Sequence, residues 1–216
     1  DPNKRRKQGL EPELRMAKLE DPHAAGHHYL RRDSDWVNAR ITLVTDADQI
    51  PVAPGVTVSD TVAGDRRTLV TQTEAPIQHF FSLQSGRYAV TTREHRGVAL
   101  SVYHLPRHAY NVPRMLDAMA ASLDLFNTAF SPYQFKQARI LEFPDYASFA
   151  QAFAATVPYS EGVGFLMQHR SPEKIDMVTY ITAHEIAHQW WAHQVIGADR
   201  QGSSFGGGWG GGGGGG

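Results

Sequence analysis

The stretch MVTYITAHEIAHQWW (residues 177–191) decides how the rest of the chain is read. It is apolar and β-branched, suited to a buried helix that begins near Asp176 and carries both histidines. On such a helix His184 and His188 are four residues apart, so their imidazoles project from one face, a turn apart. Both ring nitrogens can then reach one cation at the zinc–nitrogen distance of about 2.0–2.1 Å. Glu185 sits beside the first histidine, angled to take a proton from a nearby water without binding the cation itself.

Two histidines flanking an acid in this order form the zinc-peptidase signature His-Glu-x-x-His, in which the metal acidifies water and polarises a carbonyl. A catalytic zinc takes three protein ligands, and the histidines supply two. His193 lies round to the opposite face if the helix continues. The metzincin spacing requires glycine at position 191 and histidine at 194, where the chain has Trp191 and Gln194.

Outward from this helix the period changes. In WVNARITLVT (residues 36–45), Val37, Ala39, Ile41 and Leu43 alternate with polar neighbours, as on a half-buried strand. RTLVTQT (67–73), HFFSLQSGRYAVTT (79–92) and GVALSVYHL (97–105) are further strands, with turn chemistry in APGV (53–56) and AGD (63–65). Near residue 105 the period lengthens. NVPRMLDAMAASLDLFNTAF (111–130) predicts a helix with Asn111 as N-cap, Pro113 in its first turn, and Leu116, Met119, Leu123, Phe126 and Phe130 on one face. QARILEF (137–143) predicts a strand, YASFAQAFAAT (146–156) a short helix and GVGFLMQ (162–168) another strand.

The resulting fold class is α+β. Residues 1–35 are loop-rich with one short helix near ELRMAKLE (13–20), 36–105 form an antiparallel β-rich region, and 106–205 an α/β region. Residues 206–216 are a glycine tail read as linker or placeholder. The histidines of HAAGHH (23–28) fall among Pro, Gly and Asp and read as exposed loop. Trp190 and Trp191 read as packing residues. Of 216 residues, 41% are apolar and 20% charged, with formal net charge −1. That balance gives no pull toward nucleic acid, and the basic run KRRK (4–7) reads as solvated surface. There is no cysteine, which excludes disulfides and thiolate metal sites. No apolar run approaches the roughly 20 residues that cross a bilayer. A chain beginning at Asp1 reads as a soluble piece of something longer.

TAHEIAHQWWAHQVIG (182–197) closely resembles the gluzincin aminopeptidases of the aminopeptidase N-like family. It is most similar to bacterial members joined to an ABC-transporter permease. DSDWVNARITLVTDADQIPVAPG (33–55) and the run from LDLFNTAF to PYSEGVGF (123–165) share the likeness in the same order, so it covers roughly residues 30 to 205. The resemblance implies a β-domain followed by the start of a thermolysin-like catalytic domain, with zinc as cofactor. It also implies a peptide with a free N-terminus as substrate, and a covalent link to a permease in a parent that is an integral membrane protein. The family motif Gly-x-Met-Glu-Asn, whose Glu grips the substrate ammonium, matches PYSEGVGF and places that role on Glu161. Ser160 and Gly162 replace the motif's Met and Asn. The family's third zinc ligand, a Glu, matches Gly207, where Gly206 and Gly208 offer no carboxylate either. The family's oxyanion-stabilising tyrosine lies further downstream. Asp199, 11 residues beyond His188 and past the expected end of the helix, is a poor substitute, so the third ligand reads as absent from the chain.

Three functions follow as expectations. The first is a zinc aminopeptidase with His184 and His188 on the metal, Glu185 as base and Glu161 on the peptide amine. In the chain as written the third ligand is missing, so the isolated segment should be inactive. The second is a thermolysin-type endopeptidase. The third is a non-catalytic regulatory domain of a transporter permease.

Overall fold

A computed structural model describes residues 2–10, 35–168, 171 and 173–195. Helix α1 spans Pro2–Lys7. The basic run expected in a loop lies within it, since proline suits a first helical position and Lys and Arg favour a last turn. The expected helix at 13–20, the histidines at 23–28 and the glycine tail lie outside the described residues.

Three strands make an antiparallel sheet in the order β2–β5–β4: β2 (Arg40–Asp46), β4 (Val56–Ala63) and β5 (Arg66–Gln72). In β2 the alternation read from sequence holds, with Ile41, Leu43 and Thr45 turned inward and Arg40, Thr42, Val44 and Asp46 exposed. Gly55 begins the turn into β4 at φ +86°, and a Cβ there would lie 2.2 Å from the Gln72 carbonyl oxygen. Only glycine fits. Two small antiparallel pairs flank this sheet: β1 (Trp36–Val37) with β6 (Ile77–Gln78), and β3 (Ile50–Val52) with β7 (Gln84–Gly86). The single strand expected over residues 79–92 is therefore divided. Its middle pairs with β3, while its end begins β8 (Ala89–His95) in another sheet.

That second sheet positions the site. Its order is β11–β10–β9–β8, with β9 (Val98–His104), β10 (Gln137–Phe143) and β11 (Thr156–Ser160) parallel and β8 antiparallel at the edge. The change of period near residue 105 falls between two neighbouring strands of this one sheet. Arg96 and Gly97, at φ +50° and +84°, close the β8–β9 hairpin in the two-residue form that matches strand twist. β10 is buried along nearly its whole length, as expected of a strand covered on both faces. Its Arg139 donates to the Ala53 carbonyl at 3.0 Å and to Thr156 Oγ1 at 2.8 Å, tying the sheet to the loop after β3.

Helix α2 (Val112–Ala129) is the crossover from β9 to β10. Its Met115, Leu116, Met119 and Leu123 pack on Leu100, Val102, Ile140 and Val157 of the sheet, and on Val178 and Ile186 of the last helix. Phe130, expected on this face, falls beyond the helix and is exposed. Asn111 occupies the N-cap position without making a side-chain cap bond. Its amide instead donates to the carbonyls of Gly164 (2.7 Å), Phe165 (3.3 Å) and Met167 (2.8 Å).

Two expected elements are absent. Residues 146–156 form no helix, because their backbone turns to β11: Gln151 N–H bonds to Pro158 O at 3.1 Å, and Phe153 N–H to Thr156 O at 2.7 Å. Apolar residues spaced four apart satisfied the helical period, and pairing with the sheet edge won. Residues 162–168 form no strand. Glu161–Phe165 is a π-helical turn, held by the Asn111 amide and by Gly164, whose added Cβ would lie 1.9 Å from Tyr159 Cε1. None of the described helices is long and apolar enough to cross a membrane.

Candidate metal centre

Helix α3 (Met177–Ala187) carries the motif. Its first turn is pinned by Asp176, whose Oδ1 accepts from the backbone N–H groups of Val178 (3.1 Å) and Thr179 (3.2 Å). Oδ2 accepts from the Thr179 hydroxyl at 2.8 Å and lies 3.1 Å from the Arg114 guanidinium. Burial pushes this carboxyl upward, but the Thr179 bonds and Arg114 outweigh it and hold it below the usual carboxylate range. Val178 and Ile186 anchor the helix in the core, leaving His184 and His188 half-buried on another face.

The two imidazoles meet as the i, i+4 spacing requires. Their Nε2 atoms are 3.2 Å apart, with ring planes at 88°. Two nitrogens on one tetrahedral zinc at about 2.0–2.1 Å would be separated by about 3.3–3.4 Å. The observed distance fits that ion. His188 Nδ1 lies 3.0 Å from the Trp191 carbonyl. A carbonyl can only accept, so Nδ1 carries the proton and Nε2 presents its lone pair, the usual way a backbone group orients a metal-ligating histidine. Burial, and secondarily the neighbouring His188, hold His184 below the ordinary histidine range, the direction that favours the neutral form a ligand must take.

Glu185 is 6% exposed and its Oε2 has no partner. Burial raises its carboxyl to about 7, against the opposing pull of the Ala152 N–H. A base poised there suits proton transfer near neutral pH.

Beyond α3 the chain turns rather than continuing as helix. His193 is accordingly not on the far face of a helix. It is buried in this turn, 3.3 Å from the Ala152 carbonyl. Trp190 is buried and donates its indole N–H to Ser131 O at 2.8 Å, while Trp191 packs edge-on to Phe130 at 4.5 Å. Both act in packing. Gln189, which was not singled out from sequence, is buried. It accepts from Ala155 N–H and donates to Phe153 O, each at 2.9 Å, clamping the 152–156 loop onto the end of α3.

Glu161 opens the π-helical turn, immediately after β11, on a segment that packs against α3. Its carboxylate accepts from Asp145 N–H at 3.0 Å and stands 3.8 Å from His108 Nδ1. Among the described residues none of its polar contacts reaches the histidine pair. His108 also meets Glu142, a buried acid near the end of β10. Neither was singled out from sequence. A lone acid within the apolar run of QARILEF was the available sign for Glu142, whereas nothing marked His108. Gly207 and Asp199, the positions examined for a third ligand, lie outside the described residues.

No protein-family model matches the chain. It is similar to Aminopeptidase M1 of Arabidopsis thaliana, 27% identical over 161 residues, which is 72% of this chain and 18% of that protein. It is also similar to Endoplasmic reticulum aminopeptidase 1 of Homo sapiens, 26% identical over 148 residues (68% and 16%). The Rattus norvegicus protein of the same name is 25% identical over a stretch of the same length. The likeness is distant, and the chain spans less than a fifth of the length of these relatives.

Proposed function

We propose that this chain contains the zinc-binding and proton-transfer part of a peptidase that removes residues from the free amino end of peptides. The carrying observation is the 3.2 Å approach of His184 Nε2 and His188 Nε2, with the buried, partnerless Glu185 oxygen on the same helix. The distant likeness to aminopeptidases supports the reaction class.

His184 and His188 would hold the zinc as neutral imidazoles, with a third ligand supplied from outside the described residues. Zinc, when bound, supplies positive charge that polarises a carbonyl and acidifies water. Glu185 takes the proton from the attacking water and returns it to the departing amine, so one carboxyl serves as base and then as acid. Asp176 and Gln189 fix the two ends of α3, so the imidazoles and the carboxylate keep their relative aim. Glu161 accepts the ammonium of the substrate.

The direct test is hydrolysis of an aminoacyl reporter, with zinc titration, on the chain and on any longer protein containing it. Glu185→Gln should bind zinc and lose hydrolysis; undiminished turnover in that variant removes the proposed base.

One feature favours an endopeptidase: the Glu161 carboxylate is already engaged by Asp145 and faces His108. Comparing free and N-acetylated peptides separates the two. Equal cleavage of both would take the amine-holding role away from Glu161.

A further inference from the structure

The mixed sheet gathers a second group of metal-type side chains that the histidine pair does not use. Because β9, β10 and β11 are parallel, their carboxyl ends open on one edge, the edge at which open parallel sheets bind ligands. His108 comes from the connection that leaves β9, Glu142 is the next-to-last residue of β10, and Glu161 follows the last residue of β11. One donor atom from each lies within 4.8 Å of the other two.

The charges in this group do not balance. His108 Nδ1 is bonded to Glu142 Oε1 and stands 3.8 Å from Glu161 Oε2. The remaining oxygens take backbone N–H groups: Leu105 on Glu142 at 2.6 Å, and Asp145 on Glu161 at 3.0 Å. Among the described residues, no lysine or arginine pairs with either carboxylate. Two acids thus share one imidazole, although the side chains of His108 and Glu142 are only 10% and 2% exposed. Burying negative charge without an equal cation is costly, and a further positive centre would relieve it.

We propose that His108, Glu142 and Glu161 form a second cation site, taking a divalent transition ion of the zinc type, separate from the His184–His188 pair. One imidazole nitrogen with two carboxylate oxygens is a zinc donor set and leaves a coordination position open. Donors on one tetrahedral ion of this kind stand about 3.3–3.6 Å apart. His108 and Glu161, at 3.8 Å, would have to close slightly, which rotation of Glu161, 22% exposed at its side chain, can supply. The shorter His108–Glu142 bond would have to open to admit the ion. An ion here competes with the substrate ammonium for Glu161. That consequence rests on the proposed function; the site itself does not.

The test uses the full chain carrying His184→Ala and His188→Ala, with zinc alone as the probe. Equilibrium dialysis followed by metal analysis should return one zinc per chain. Adding His108→Gln, or in a separate chain Glu161→Gln, should raise its dissociation constant at least about tenfold. Circular dichroism melting establishes that each variant is folded, and Glu161→Gln, the most exposed position, is the safer of the two. Absence of zinc in the pair-less chain, or unchanged affinity in both ligand variants, overturns the site. Zinc that is lost with the pair and indifferent to His108 and Glu161 leaves the peptidase reading standing. Zinc that follows His108 and Glu161 alone does the reverse.

Discussion

The histidine pair on α3 and the His108–Glu142–Glu161 group are built by different means. In the pair, helix pitch sets the separation, and one capped, core-anchored helix suffices to bring two nitrogens to 3.2 Å. The other group draws a residue from each of three parallel strands or the segments that leave them, so it exists only once β9, β10 and β11 are in register. A local device survives changes elsewhere in the fold, whereas a topological one registers any fault in the sheet or in the turns at its edge.

Substitutions can break or sharpen that contrast. The largest effect should come from Glu185→Gln, which removes a proton acceptor while leaving both imidazoles in place. In a longer protein that supplies the third ligand, peptide hydrolysis should fall by about 10²–10⁴-fold, with zinc retained in a dialysis assay. Gly164→Ala should act mainly on the topological group. The new Cβ would lie 1.9 Å from the Tyr159 ring and displace the turn that carries Glu161, costing about 1–3 kcal/mol in a urea melt. Gln189→Ala strikes the join between the two. Losing two buried hydrogen bonds to the 152–156 loop should cost about 2 kcal/mol, read in the same melt.

Asp176→Ala should have the smallest effect and bear on the pair alone, at about 1 kcal/mol for a lost N-cap. Its acid dependence has a definite sign. The folded carboxyl lies below its usual value of 3.8, so its contribution is fully present above that pH and disappears as pH falls through the lower folded value. Asp176→Asn should flatten this acid limb of the stability curve. An unaltered limb would mean that the cap is not what titrates.

The same contrast explains what could be read from sequence. His184, Glu185, His188 and a helix start near Asp176 were legible because each depends on neighbours within one or two helical turns. β2, β10 and α2 were legible for the same reason, their periods being local. Residues 146–156 and 162–168 were misread because their backbone partners are distant: Pro158 for Gln151, and the Asn111 side chain for the carbonyls of Gly164 and Met167. His108 and Glu142, separated by a helix and a strand, become neighbours only through a parallel crossover. Glu161 was singled out only through the resemblance to a family, and its surroundings needed the sheet.

Trp190 offers a practical handle on all of this. Its indole is enclosed two residues beyond His188, with the ring N–H bound to a carbonyl rather than to solvent. In a chain where it is the single tryptophan, its fluorescence should report the integrity of the turn after α3, shifting to the red when that turn opens. With Trp36, Trp191 and Trp209 replaced by Phe and Glu161→Gln added, quenching of this emission by cobalt would then report on the helix site without any added label.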